Sequence, residues 1–213
     1  MRVLLTGFEP FGGAATNPSG EVVQRLAASG HPGVELATAV LPVAFAESGE
    51  RLRQAVDAHR PDVIIALGLA EGRTGITPER VAINLDDARI ADNAGAQPTD
   101  ELIEPQGPDG RFTTLPVKAI VDALQHAGLP ASVSLSAGSY VCNHVFYVLQ
   151  SLAAERPGLR SGFVHVPASP EFAAGRPELF TLSLDELERG IRIVIDTVVA
   201  TPVDVRLPGG AIH

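Results

Sequence analysis

The chain contains one cysteine, and it stands where a thiol can do chemistry. Cys142 lies in Gly138-Ser139-Tyr140-Val141-Cys142-Asn143-His144, between a strand-like run and a helix-forming one. A thiol at a helix N-terminus faces the positive end of the helix dipole and unpaired amide N–H groups, which favour the reactive thiolate. The same N–H groups can stabilise an oxyanion on a carbonyl under attack. A free cysteine is otherwise often just a small buried hydrophobe, so a nucleophile needs a base in reach. His144 is nearest in sequence, but two residues along a helix turn the side chain by about 200°, away from the thiol. His165 lies 23 residues on, inside the apolar run Gly162-Phe163-Val164-His165-Val166-Pro167. A helix running away from Cys142 and a strand returning through residue 165 bring thiol and imidazole to one edge. A third group must orient the ring. Glu79, in Thr77-Pro78-Glu79-Arg80-Val81-Ala82-Ile83-Asn84, can accept its second N–H. Asp62, Glu71, Asp86 and Asp87 compete for that role, and spacing does not separate them.

Other chemistries fit the residues less well. The segment 6–13, Thr-Gly-Phe-Glu-Pro-Phe-Gly-Gly, has neither the Lys-Ser/Thr ending of a phosphate loop nor the spacing of a dinucleotide site. Its two Phe suit an apolar pocket. Six His include no H-x-x-x-H pair and the cysteine has no partner thiol, so metal binding is weakly supported. A phosphorylase-like transferase on a similar scaffold would need phosphate ligands and could dispense with the cysteine.

The elements that must hold these residues alternate. Apolar runs at 3–5, 35–40, 63–67, 132–136 and 162–166 predict strands, several without polar alternation, as in sheets covered on both faces. Helical periodicity covers 18–28, 45–59, 117–127, 143–155 and 184–200. Asn17-Pro18 and Ser183-Leu184-Asp185-Glu186 supply start signals for the first and last of these. The rhythm implies βαβ crossovers and a central, mostly parallel sheet. Segments 68–114 and 167–181 interrupt it as long loops, the first with a strand-like run at 80–85, and such loops are usually functional. Ligands in open α/β sheets bind beyond the carboxyl ends of the strands, where 6–13, 68–79, 137–142 and His165 all fall.

Size and composition agree. The 213 residues suit one α/β domain over 1–200, with a flexible tail at 201–213. A formal charge of −9 without a basic run argues against nucleic acid or membrane partners. One cysteine fits a reducing compartment, and the short apolar N-terminal run reads as a strand rather than a signal peptide, so a cytoplasmic location is expected.

Together, segment 6–13 with Asn17-Pro18, Gly72-Arg73 followed by Glu79-Arg80-Val81-Ala82-Ile83-Asn84, 86–93, 139–147 and 162–167 resemble pyroglutamyl peptidase I, also called pyrrolidone-carboxylate peptidase. The similarity spans nearly the whole chain except the tail. It implies a cysteine peptidase with a three-layer α/β/α sandwich, no metal and no cofactor, acting on peptides with an N-terminal pyroglutamate and assembled as a homotetramer. It implies Cys142 as nucleophile, His165 as base and Glu79 as third member. It further implies an apolar ring pocket of Phe8, Phe11, Ile90, Tyr140 and Val141, with backbone near Leu69 reading the lactam and Arg89 near the oxyanion. The chain departs from the family pattern at Leu69, often Gln, at Val43, commonly Thr, and in Ala168-Ser169-Pro170-Glu171-Phe172.

Overall fold

The structure is a computed structural model that describes residues 1–210. In chain order it runs β1 (Arg2–Phe8), α1 (Pro18–Ser29), β2 (Glu35–Leu41), α2 (Phe45–His59), β3 (Val63–Leu69), β4 (Thr77–Pro78), β5 (Val81–Ile83), β6 (Gly110–Phe112), α3 (Val117–His126), α4 (Val141–Glu155), β7 (Arg160–Val166) and α5 (Leu184–Ala200). The main sheet has the order β2-β1-β3-β7-β4, with every neighbouring pair parallel except β4 against β7. β5 and β6 form a separate antiparallel ribbon, which is what the run at 80–85 becomes.

Alternation along the strands builds the three layers. Val3, Leu5, Val63, Ile65, Leu67, Val164 and Val166 pack against apolar residues of α1, α3 and α5. Leu4, Phe8, Ile64, Ala66 and Phe163 face the other way, onto α2 and α4. His165 is two residues from Phe163 and so shares the α4 face; their rings lie 4.9 Å apart. The caps act as their residue types require. The Asn17 carboxamide accepts from Ser19 N–H with Pro18 at the first helical position, and Ser183 with Glu186 forms a reciprocal capping box on α5.

Residues 132–136 do not form the expected strand. Their one ladder contact is the isolated bridge of Ser134 with Glu79. Their serines bond their own backbone instead: Ser134 Oγ donates to Ser136 O and accepts from Ser136 N–H. Such local side-chain bonds compete with a ladder. α4 also starts earlier than its periodicity suggests, which places Cys142 inside the first turn. Beyond α5, Asp204 accepts from the N–H groups of Lys118 and Ala119, capping α3, whose own N-cap is Pro116. Residues 211–213 of the expected tail lie outside the described residues.

Candidate active site

β1 is the pivot of the sheet. The chain leaves it through α1 to β2 on one side, then crosses through α2 to β3 on the other. A crevice opens at such a switch point beyond the strand ends. The last register pair of β1 and β3 is Thr6 with Ala66, yet the strands continue to Phe8 and Leu69. Between them lies a cavity of about 370 Å³.

Its walls come from five segments. Phe8 ends β1, with Phe11 and Asn17 beyond it; Val43 follows β2; Leu69 ends β3, with Ala70 and Arg73 beyond it; 136–142 leads into α4; and His165 lies near the end of β7. The first segment is stapled by Asn17, whose Nδ2 donates to Glu9 O, and by Ser19 Oγ, which accepts from Phe8 N–H. Tyr140 stands edge-on to Phe45 at 5.4 Å and donates its hydroxyl to Ala91 O. Asn143 is fully buried beside the thiol; its amide accepts from Ile83 N–H and donates to the Ile83 and Leu85 carbonyls. It thereby ties the first turn of α4 to β5. A buried Asn at the start of an apolar helix is a signal that sequence could have offered.

His165 Nδ1 lies 2.7 Å from Glu79 Oε1, and Glu79 is wholly buried. A carboxylate only accepts, so Nδ1 carries the proton and Nε2 is left to face the cavity. The rival carboxylates are engaged elsewhere: Asp62 with Arg2, Glu71 with Arg176, and Asp86 with His144 at 2.7 Å. Asp87 is exposed.

Cys142 is half-buried in the first turn of α4 and lines the same cavity as His165. The N-cap Tyr140 contributes no side-chain bond, so no side-chain acceptor covers that helix end. The helix end favours the thiolate, but two influences oppose it. Burial, and after it the negative charge of Glu79, push the thiol pKa up to about 12. The thiol is half-buried rather than sealed, which weakens this push without reversing it. A base must take its proton.

Gly68 is the register partner of His165, and the space beside its Cα is occupied by the thiol. A Cβ there would stand 2.9 Å from Cys142 Sγ and 2.7 Å from the buried Phe163 ring. Gly68→Ala should therefore lose about 1–3 kcal/mol of stability by overpacking. It should also lose on the order of 10²-fold in kcat/KM through a displaced thiol. Denaturant midpoints and kinetics check this, and an equally stable, fully active variant would contradict it.

Of the residues expected around a substrate, Phe8, Phe11, Leu69, Tyr140 and Val141 reach the cavity wall. Arg89 and Ile90 do not. Both are exposed, Ile90 by 53%, on the loop after β5, so neither contributes to the cavity. Val43, Asn17 and Ser136 also line it without having been expected to, and Arg73, Ala137 and Gly138 do so from two of the segments expected at the ligand edge. Arg73 could not be found by spacing, since a glycine-rich loop gives no period from which to project its side chain. Among the described residues no group of His, Cys, Asp and Glu is arranged to hold a metal.

An α/β sandwich with a helix-end thiol beside a buried His–carboxylate pair defines the class, a cysteine-type hydrolase. The comparisons narrow it. Residues 1–201 match the family model described as pyroglutamyl peptidase. A pyrrolidone-carboxylate peptidase of Vibrio vulnificus is 49% identical over 211 residues, 99% of each chain. One of Levilactobacillus brevis is 48% identical over 96% of this chain and 100% of its own. The crystal structure of Bacillus amyloliquefaciens pyroglutamyl peptidase I, 45% identical, superposes with a TM-score of 0.91 over 96% of this chain and 99% of the other. The chain belongs to the pyroglutamyl peptidase family.

Proposed function

We propose that this chain is a cysteine peptidase that hydrolyses the bond after an N-terminal pyroglutamyl residue and releases free pyroglutamate. One observation carries the reading: the buried His165–Glu79 pair opens onto the same apolar cavity as the thiol of Cys142. His165 Nε2 takes the thiol proton while Sγ attacks the pyroglutamyl carbonyl. Free N–H groups in the first turn of α4 hold the oxyanion. As the C–N bond breaks, the imidazolium returns that proton to the leaving amine, and a thioester remains on Cys142. His165 then deprotonates a water, which attacks the thioester; the C–S bond breaks, pyroglutamate leaves and the thiol is reprotonated. Glu79 orients the ring and stabilises its charged form.

Phe8, Phe11, Leu69, Tyr140 and Val141 would enclose the lactam ring. Beyond Ala66, β3 has no register partner on β1, so the backbone at Leu69 is free on that side to bond the lactam amide. The reading includes a reducing, cytoplasmic setting, supported by the single free thiol, and a homotetramer, for which the exposed Leu102 and Phe112 offer apolar contact surface. Among the described residues no helix is long and apolar enough to cross a membrane. The test is release of a chromogenic amine from its pyroglutamyl derivative, blocked by thiol alkylation. No release, or release indifferent to complete alkylation, would overturn the assignment.

A further inference from the structure

We propose that Arg73 is a positioning residue of the catalytic group, acting through Glu79 to keep that carboxylate charged and aimed at His165. The inference rests on the peptidase reading of the same site. Glu79 is wholly buried, and both of its bonds are on one oxygen: Oε1 accepts from His165 Nδ1 at 2.7 Å and from Arg73 Nη2 at 3.2 Å. Its Oε2 has no partner among the described residues. Three titratable groups face it: His165 from β7, Arg73 from the loop after β3, and the Cys142 thiol from α4; the segment 132–136, bridged to it at Ser134, brings none. Only Arg73 is a permanent cation. An isolated buried carboxylate is strongly disfavoured, whereas a paired one is tolerated. Until the imidazole takes a proton, Arg73 is the one positive charge beside Glu79.

The guanidinium is itself fixed. Nη2 donates to Ser134 Oγ at 2.8 Å and to Ser136 O at 2.9 Å, and Arg73 N–H donates to Ala70 O. The irregular segment 132–136, which forms no strand, thus serves as the seat of this side chain. With three protein acceptors gathered on Nη2, that nitrogen is committed to the protein rather than to substrate.

The experiment is the pH profile of kcat/KM on a pyroglutamyl reporter amide for the wild type, Arg73→Gln, Arg73→Lys, Glu79→Gln and the double variant Arg73→Gln/Glu79→Gln. Arg73→Gln should be slower by on the order of 10²-fold at pH 6, in kcat rather than KM. Its acid limb should move to higher pH by at least about one pH unit, with the loss shrinking as pH rises. Arg73→Lys should stay within about tenfold with the limb unmoved, because a single ammonium can meet acceptors that all gather on one nitrogen. The double variant should be within about threefold of Glu79→Gln, since Arg73 has nothing left to act through. A loss confined to KM, an unmoved acid limb in Arg73→Gln, or costs that multiply in the double variant would overturn the role. Should Arg73→Gln fail to fold, Ser134→Ala carries the comparison: loosening the guanidinium should move the same limb the same way by less, and no movement overturns the proposal. A wild type that releases no amine would bring down the peptidase reading itself; an active wild type with an unmoved limb removes only the role of Arg73.

Discussion

Prolyl amides should be cleaved at least about 10⁴-fold less efficiently than pyroglutamyl amides of the same reporter amine, although the two rings have nearly the same shape. The difference lies in charge and hydrogen bonding. Pyroglutamate offers a ring C=O and a neutral N–H; an N-terminal proline offers a charged secondary amine and no ring carbonyl. The cavity that would receive it is walled by Phe8, Phe11, Leu69, Tyr140 and Val141, with Phe8 and Val141 almost wholly buried. Among the described residues no carboxylate lines it, and its one permanent cation is Arg73. A buried ammonium would find no counter-charge there, a cost of several kcal/mol. The free backbone at Leu69 would lose the lactam as well. Sites built on buried hydrogen bonds reject analogues lacking them by about 10⁴-fold or more. An N-terminal glutamine, open-chain and cationic, should fail in the same way. The measurement is the ratio of kcat/KM values for the two reporters. A ratio within about tenfold would mean that the cavity reads ring shape alone, and the substrate assignment would fall even with the thiol chemistry intact.

Much of the scaffold is legible in the sequence because local signals agree with the global fold. Asn17-Pro18 and the Ser183–Glu186 box mark helix starts by their own hydrogen bonds, and unalternating runs such as 63–67 mark strands buried on both faces. Where a segment answers to distant partners, the pattern misleads. Residues 132–136 have strand composition, but Ser134 serves Arg73, 61 positions away. The catalytic edge is legible as topology: a helix leaving Cys142 and a strand returning to His165 must share an end. The identity of the carboxylate is not. Glu79, Asp62, Glu71, Asp86 and Asp87 look alike until each finds its partner in three dimensions. Ile90, an apolar residue that the resemblance placed in the ring pocket, is exposed on a loop and does not line the cavity.

The second large effect concerns the thiol. Cys142→Ser should fold normally, since it exchanges one atom in a half-buried position, and lose at least about 10³-fold in kcat. A hydroxyl is a far poorer nucleophile and a harder proton for His165 to remove. Burial and the charge of Glu79 push the pKa of the native thiol up, so the reactive form depends on a proton acceptor close by. His165→Ala removes that acceptor and leaves both opposing influences in place. The alkylation rate of Cys142 in that variant should therefore keep climbing into strongly alkaline pH. The wild type, where thiolate and imidazolium form as a coupled pair, should react at lower pH. Because Cys142 is the only cysteine, every labelled thiol reports on this one position. Rates of alkylation between pH 5 and pH 10, alongside kcat for the serine variant, make the test. If Cys142→Ser keeps most of its activity, the thiol is not the nucleophile; if the alkylation profile of His165→Ala overlays that of the wild type, the imidazole is not its base.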